Sequence, residues 1–159
     1  MEGNQEKVFM TIHKRITLFI SFVIVLGYMS CENDVPVDEL PPATFPDIVI
    51  DLGLPAYQNL TRDGGFEPLP QGLRGIILYR ENASTYHAIE QNCTYLPFEA
   101  GSTVNVDPNN PSLLRDASCG SIFTLPDVFP GGGPAVLPLR KYSVTLNGRI
   151  LTITSEPIN

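Results

Sequence analysis

The chain has 159 residues, enough for one domain and a targeting segment, with 43 % hydrophobic residues, 15 prolines, 13 glycines and no tryptophan. Its formal net charge is −7, from 17 acidic against 10 basic side chains. Lys and Arg do not cluster, so no surface is built to neutralise a run of phosphates and nucleic acid is not an expected partner.

Residues 1–30 read as a targeting segment. Lys14 and Arg15 precede the apolar run ITLFISFVIVLG at 16–27, long enough for a signal-peptide core and short of the roughly 20 residues that span a bilayer. Glu2 and Glu6 lie ahead of that basic pair, and translation from Met10 would leave them out. The run closes with GYMSC at 27–31, which resembles the lipobox of bacterial lipoproteins, where a small residue precedes a cysteine that is acylated and becomes the N-terminus. Tyr28 and Met29 depart from the usual residues of that motif. The resemblance makes Cys31 the lipid-attachment residue and the membrane a partner through its buried acyl chains. Glu32-Asn33-Asp34 resembles the export signal of surface lipoproteins in some Gram-negative bacteria, so the expected place is the bacterial cell envelope, on the outer membrane, facing the periplasm or the surface.

Residues 31–45, CENDVPVDELPPATF, are acidic and Pro-rich without apolar periodicity, and are expected to form an extended tether. The domain is expected over 46–159. Short alternating runs follow the tether: DIVIDL at 47–52, GLRGIILYR at 72–80, TYHAIE at 85–90, Val104–Val106, and Leu113–Leu114 beyond the turn PNNP. The last two strands, over 141–146 and 149–154, flank Asn147-Gly148, a strong hairpin signal. No stretch outside the targeting segment has a convincing helical period, so the fold class read from the pattern is all-β, a small antiparallel sandwich or barrel.

Two loops carry the remaining cysteines, QNCTYLP at 91–97 and ASCGSIF at 117–123, and a third, FPGGGPAVLPLRKY at 129–142, is rich in Gly and Pro. Gathered at one end of a β scaffold, the three would form a site built on loops. Ser121 has no base near it in sequence, His87 lies in a strand run, and Arg140-Lys141 is a small basic spot at a strand start. No catalytic set stands out, and an enzyme is not the expected reading.

Residues 72–154 resemble a Rieske domain. The resemblance runs through RGIILYR, then Tyr86, Ala88, Ile89, Cys93 and Thr94, then Gly120-Ser121 with Phe123. It continues through Gly133-Pro134-Ala135, Pro138-Leu139 and Tyr142 to a closing hairpin with Leu151 and Ile153. It is nearest to Rieske-like lipoproteins of Gram-negative bacteria. A Rieske [2Fe–2S] cluster takes two Cys on one iron and two His on the other, in the boxes C-x-H and C-x-x-H. In the first box Cys93 is present and Tyr95 stands at the histidine position. In the second, matching the Gly-Ser-x-Phe run puts Cys119 at the histidine position and Asp116 at the cysteine position; taking Cys119 as the cysteine puts Ile122 at the histidine position. Both histidines are missing either way.

The resemblance therefore implies degenerate ligand positions at Cys93, Tyr95, Asp116 and Cys119, with no metal and no cofactor expected. The implied function is that of a membrane-anchored lipoprotein whose Rieske-like domain has lost its cluster and serves a structural or binding role. A [2Fe–2S] electron-transfer protein and a thiol–disulfide redox protein are the alternatives. In an oxidising compartment, two loops facing each other across the vacated site would make Cys93 and Cys119 a disulfide candidate, with two free buried thiols as the other outcome.

Overall fold

The computed structural model describes residues 40–158; the expected signal peptide, Cys31 and the first part of the tether lie outside them. Among the described residues no helix is long and apolar enough to cross a membrane. The expected all-β class is what this body has. Its strands are β1 (Ile48–Asp51), β2 (Phe66–Leu69), β3 (Ile76–Asn82), β4 (Thr85–Glu90), β5 (Val104–Asp107), β6 (Asn110–Asp116), β7 (Ile122–Thr124), β8 (Phe129–Gly132), β9 (Lys141–Asn147) and β10 (Ile150–Pro157), with one short 3₁₀ helix at Pro55–Thr61.

The strands form two antiparallel sheets, one in the order β1-β10-β9-β4-β3-β2 and the other in the order β5-β6-β7-β8. The second sheet is inserted between β4 and β9, which are neighbours in the first. Edge position explains two of the strands that the pattern missed, β2 and β8. Pro68 in β2 and Pro130 with two glycines in β8 would break a central ladder, and both strands lie at sheet edges where a missing N–H donor is harmless.

The density of IILY in β3 has a physical cause. Ile76 and Leu78 enter one core with Tyr86, Ala88, Tyr142, Leu151 and Ile153. Ile77 enters a second core with Ile89, Val104, Leu114, Phe123 and Leu139. The β3–β4 pair is thus buried on both faces, and a strand buried on both faces reads as a continuous apolar run rather than an alternation.

Two details differ from the sequence expectation. The hairpin turn is Gly148-Arg149, not Asn147-Gly148, because Asn147 pairs with Ile150. That register sets Leu146 opposite Leu151 and Val144 opposite Ile153; a turn centred one residue earlier would have set Leu146 against Arg149. The second concerns the tether, whose residues 40–45 lie on the domain. Arg140 donates from Nη1 to Pro41 O and from Nη2 to Leu40 O, both at 2.6 Å. Phe45 meets the Tyr142 ring edge-on at 5.0 Å between centroids. Packing of Leu40, Ala43 and Phe45 carries the folded body back from residue 46 to residue 40.

Candidate functional site

At one edge of the four-stranded sheet β5 begins, β6 ends, β7 begins and β8 ends, so three connections lie side by side there. The first, 91–103, carries Cys93 and Tyr95. The second follows Asp116, the last residue of β6, and carries Cys119. The third, 133–140, is the Pro-rich loop. Thr94 Oγ1 donates to Leu137 O at 2.8 Å, and Ala135 N donates to Ser121 Oγ at 3.1 Å. Gly133, at φ +83, lets the third loop touch the second: a Cβ there would stand 2.5 Å from Ser121 Cα.

Asp116 builds the second loop. Its Oδ1 accepts from Ser118 N at 2.7 Å, from Ser118 Oγ at 2.6 Å and from Cys119 N at 3.4 Å. Its carbonyl accepts from Gly120 N at 2.9 Å. This side-chain-to-backbone turn, a habit of Asp, folds Cys119 back over the carboxylate. The Cys119 thiol donates to Ser121 Oγ at 3.0 Å. Cys93 is buried and anchored through its backbone, its carbonyl accepting from Asn92 Nδ2 at 3.0 Å.

The outcome is a three-donor cluster. One ligand atom each from Cys93, Asp116 and Cys119 all lie within 4.8 Å of one another. Asp116 is 0 % exposed, and its Oδ2 has no hydrogen-bond partner. Burial, together with the facing Asp116 carboxylate and Cys119, pushes the Cys93 thiol up to about 12. Burial alone would raise the Asp116 carboxyl, but the hydrogen bonds from the Ser118 hydroxyl and backbone outweigh it and hold the group below its ordinary value of 3.8.

A second layer fixes the Cys93 loop. Glu90, 0 % exposed, closes β4. Its Oε2 accepts from Leu73 N at 2.8 Å and from Tyr142 OH at 2.6 Å, and its Oε1 accepts from Arg74 N and Asn92 N, each at 3.1 Å. Arg74 then reaches over the loop. Its Nε donates to Asn92 Oδ1, its Nη1 to Ala100 O at 3.0 Å and its Nη2 to Glu99 O at 2.6 Å and Pro97 O at 3.3 Å. Sequence reasoning missed both residues. The signal was the pair of glycines bracketing Leu73-Arg74: Gly72 and Gly75 have φ of +88 and +117, and a Cβ at Gly72 would stand 2.6 Å from Glu90 Oε2.

Tyr95 packs against the second core and lines, with Cys119, Ser118, Glu99 and Pro134, a cleft of about 480 Å³. His87 faces elsewhere, its Nε2 lying 2.7 Å from Glu81 Oε2 and its ring stacked on Tyr79. The donors gathered here do not fit a histidine-ligated two-iron cluster. No imidazole is among them, and three donor atoms converge on one point where a two-iron cluster needs two separate pairs. Both cysteines are free thiols in this structure.

No protein-family model matches the chain, and no curated protein is significantly similar to it. Among solved structures, a chain from the complex of reduced oxygenase and oxidized ferredoxin in carbazole 1,9a-dioxygenase is similar at 17 % identity with a TM-score of 0.43. The match covers 62 % of this chain and 87 % of that one.

Proposed function

We propose that this is a lipid-anchored protein of the bacterial cell envelope, built around a Rieske-like β domain whose loop site no longer holds a [2Fe–2S] cluster and serves a binding or structural role. The observation that carries the reading is the donor set itself. Cys93, Tyr95, Asp116 and Cys119 occupy the ligand positions implied by the sequence resemblance, and the histidine of the described domain is engaged by Glu81. Electron transfer through a Rieske centre depends on two imidazoles at one iron. Anchoring rests on GYMSC and the acidic residues after Cys31.

Protein produced where iron–sulfur assembly is active, then purified, should be colourless and give no reduced-state EPR signal; stoichiometric iron with that signal would sink the cluster-free reading. A Cys31→Ala chain should lose most of its membrane association, and full retention would remove the lipid anchor from the proposal.

A second reading, a Cys93–Cys119 disulfide, is favoured by sulfurs already within 4.8 Å. Closing a loop of this length stabilises by about 3 kcal/mol in the chain-entropy account. With Cys31 substituted, denatured and unreduced protein from the envelope should then show no titratable thiol, and two thiols would exclude the bridge.

A further inference from the structure

The geometry points to a site for a single thiophilic divalent cation of the zinc class, held by Cys93 Sγ, Asp116 Oδ2 and Cys119 Sγ, with a fourth position open to the cleft beside Tyr95. This rests on the reading that the loops hold no two-iron cluster, and names what the same loops hold instead.

Four observations carry it. Two sulfurs and a carboxylate are a donor set that zinc and its soft neighbours accept, and three protein ligands with a fourth place left open is a recurrent zinc arrangement. The spacing suits one ion: tetrahedral bonds of about 2.3 Å to sulfur and 2.0 Å to oxygen put donors roughly 3.5–3.8 Å apart. The three atoms here are all within 4.8 Å of one another, so each pair needs to close by about an ångström at most.

Asp116 supplies the third observation. A carboxylate oxygen removed from water without a donor is costly, and Oδ2 is such an oxygen, on a residue 0 % exposed whose carboxyl group lies beside two thiols, while Oδ1 is used by the turn. A bridge between Cys93 and Cys119 would compete for the same sulfurs, yet it would leave Oδ2 as it is, whereas a cation gives that oxygen a partner. The fourth observation is rigidity. Asn92 and Ser102 hold the Cys93 backbone, Arg74 straps its loop, and Ser118 with Gly120 fixes the turn that carries Cys119, so the loops are positioned by bonds that do not use the ligating atoms; of the three, the Cys119 sulfur is also engaged, by Ser121. On binding, the two thiol protons leave to solvent and no electron is transferred.

The test uses the full chain with Cys31→Ser, reduced, freed of metal and titrated with Co²⁺ and then Zn²⁺. The expected result is one Co²⁺ per chain, with a thiolate-to-cobalt charge-transfer band and tetrahedral ligand-field bands, both erased by stoichiometric Zn²⁺, and a raised unfolding temperature. Asp116→Asn keeps an oxygen for the turn and should weaken Zn²⁺ binding at least about 100-fold, beyond what loss of an outer-shell partner does. Cys119→Ser, at a partly exposed position, should halve the charge-transfer intensity or abolish binding, and His87→Ala should change neither. Absence of the charge-transfer band in the reduced parent, or Zn²⁺ binding unchanged by Asp116→Asn, overturns the site. Acid-labile sulfide and iron in the untreated protein would instead overturn the cluster-free reading beneath it, so the two failures are told apart.

Discussion

A carboxyl group withdrawn from water must be surrounded by donors, and Glu90 has four of them, from Leu73, Arg74, Asn92 and Tyr142. Tyr142→Phe removes one while preserving the ring that packs on Phe45. The expected loss is about 1–3 kcal/mol in urea unfolding, the cost of an under-bonded buried polar group. Burial, then the hydrogen bond to Glu90, raises the Tyr142 phenol above its ordinary value of 10.0. A raised folded-state value means that this contribution is complete below about pH 10 and is lost as pH climbs through the folded value, so the gap between wild type and Tyr142→Phe should narrow in strong alkali. A gap that stayed constant to pH 11 would contradict this account. Nothing in TYHAIE marks its last residue as the centre of such a network, because three of the four donors come from positions 16 and 17 residues before and 52 residues after it. Asp116, by contrast, organises a turn whose partners Ser118, Cys119 and Gly120 are all local in sequence.

Turns and loops decide the positions of these residues. In the β9–β10 hairpin only Gly148, at φ +63, needs the left-handed region; Arg149 does not, which is the pattern of a Gly-X turn. Gly148→Ala should therefore cost about 1–2 kcal/mol, although nothing lies within 4 Å of the added Cβ, while Asn147→Ala, in the paired ladder, should cost clearly less. Equal costs in chemical unfolding would place the turn at Asn147-Gly148 after all. The dipeptide announced a hairpin, but the choice between neighbouring registers was made by which side chain faces Leu151, and that is a cross-strand fact. The Pro-rich loop depends on Gly133 in a different way, through contact. Gly133→Ala combines a strained φ with a Cβ at 2.5 Å from Ser121 Cα and 2.8 Å from Ser121 N, and should cost about 2–4 kcal/mol. Because it pushes the third loop off the second, alkylation of Cys119 in the folded protein should speed up; an unchanged rate would mean that the two loops are not coupled.

For the whole molecule, two cores share the β3–β4 pair, and the site lies where the inserted sheet meets its loops. Stability at the site therefore draws on both cores. The N-terminal packing gives a direct check: a chain beginning at Leu40 should be more stable than one beginning at Pro46 by about 1–3 kcal/mol. The longer chain buries Leu40 and part of Phe45 and satisfies Arg140 with two carbonyls. Equal midpoints and slopes in denaturant titrations of the two truncations would show that residues 40–45 contribute nothing to the fold.

Sequence alone determined what is local or periodic. Alternation and turn residues placed most of the strands, as in TYHAIE and VNV, because a half-buried strand must repeat every two residues. Cys93, Tyr95, Asp116 and Cys119 were singled out by resemblance to a Rieske domain rather than by any local period; the loops that carry them lie side by side at one end of the four-stranded sheet. Tertiary structure alone decided what depends on long-range neighbours. Edge placement let Pro68 and Pro130 sit in strands, packing drew residues 40–45 out of the expected tether, and a buried carboxylate 17 residues from its first donor organised the Cys93 loop. Above all, packing brought Cys93 from a separate loop against the local Asp116–Cys119 turn and left a buried carboxylate oxygen without a partner, which no one-dimensional pattern could have disclosed.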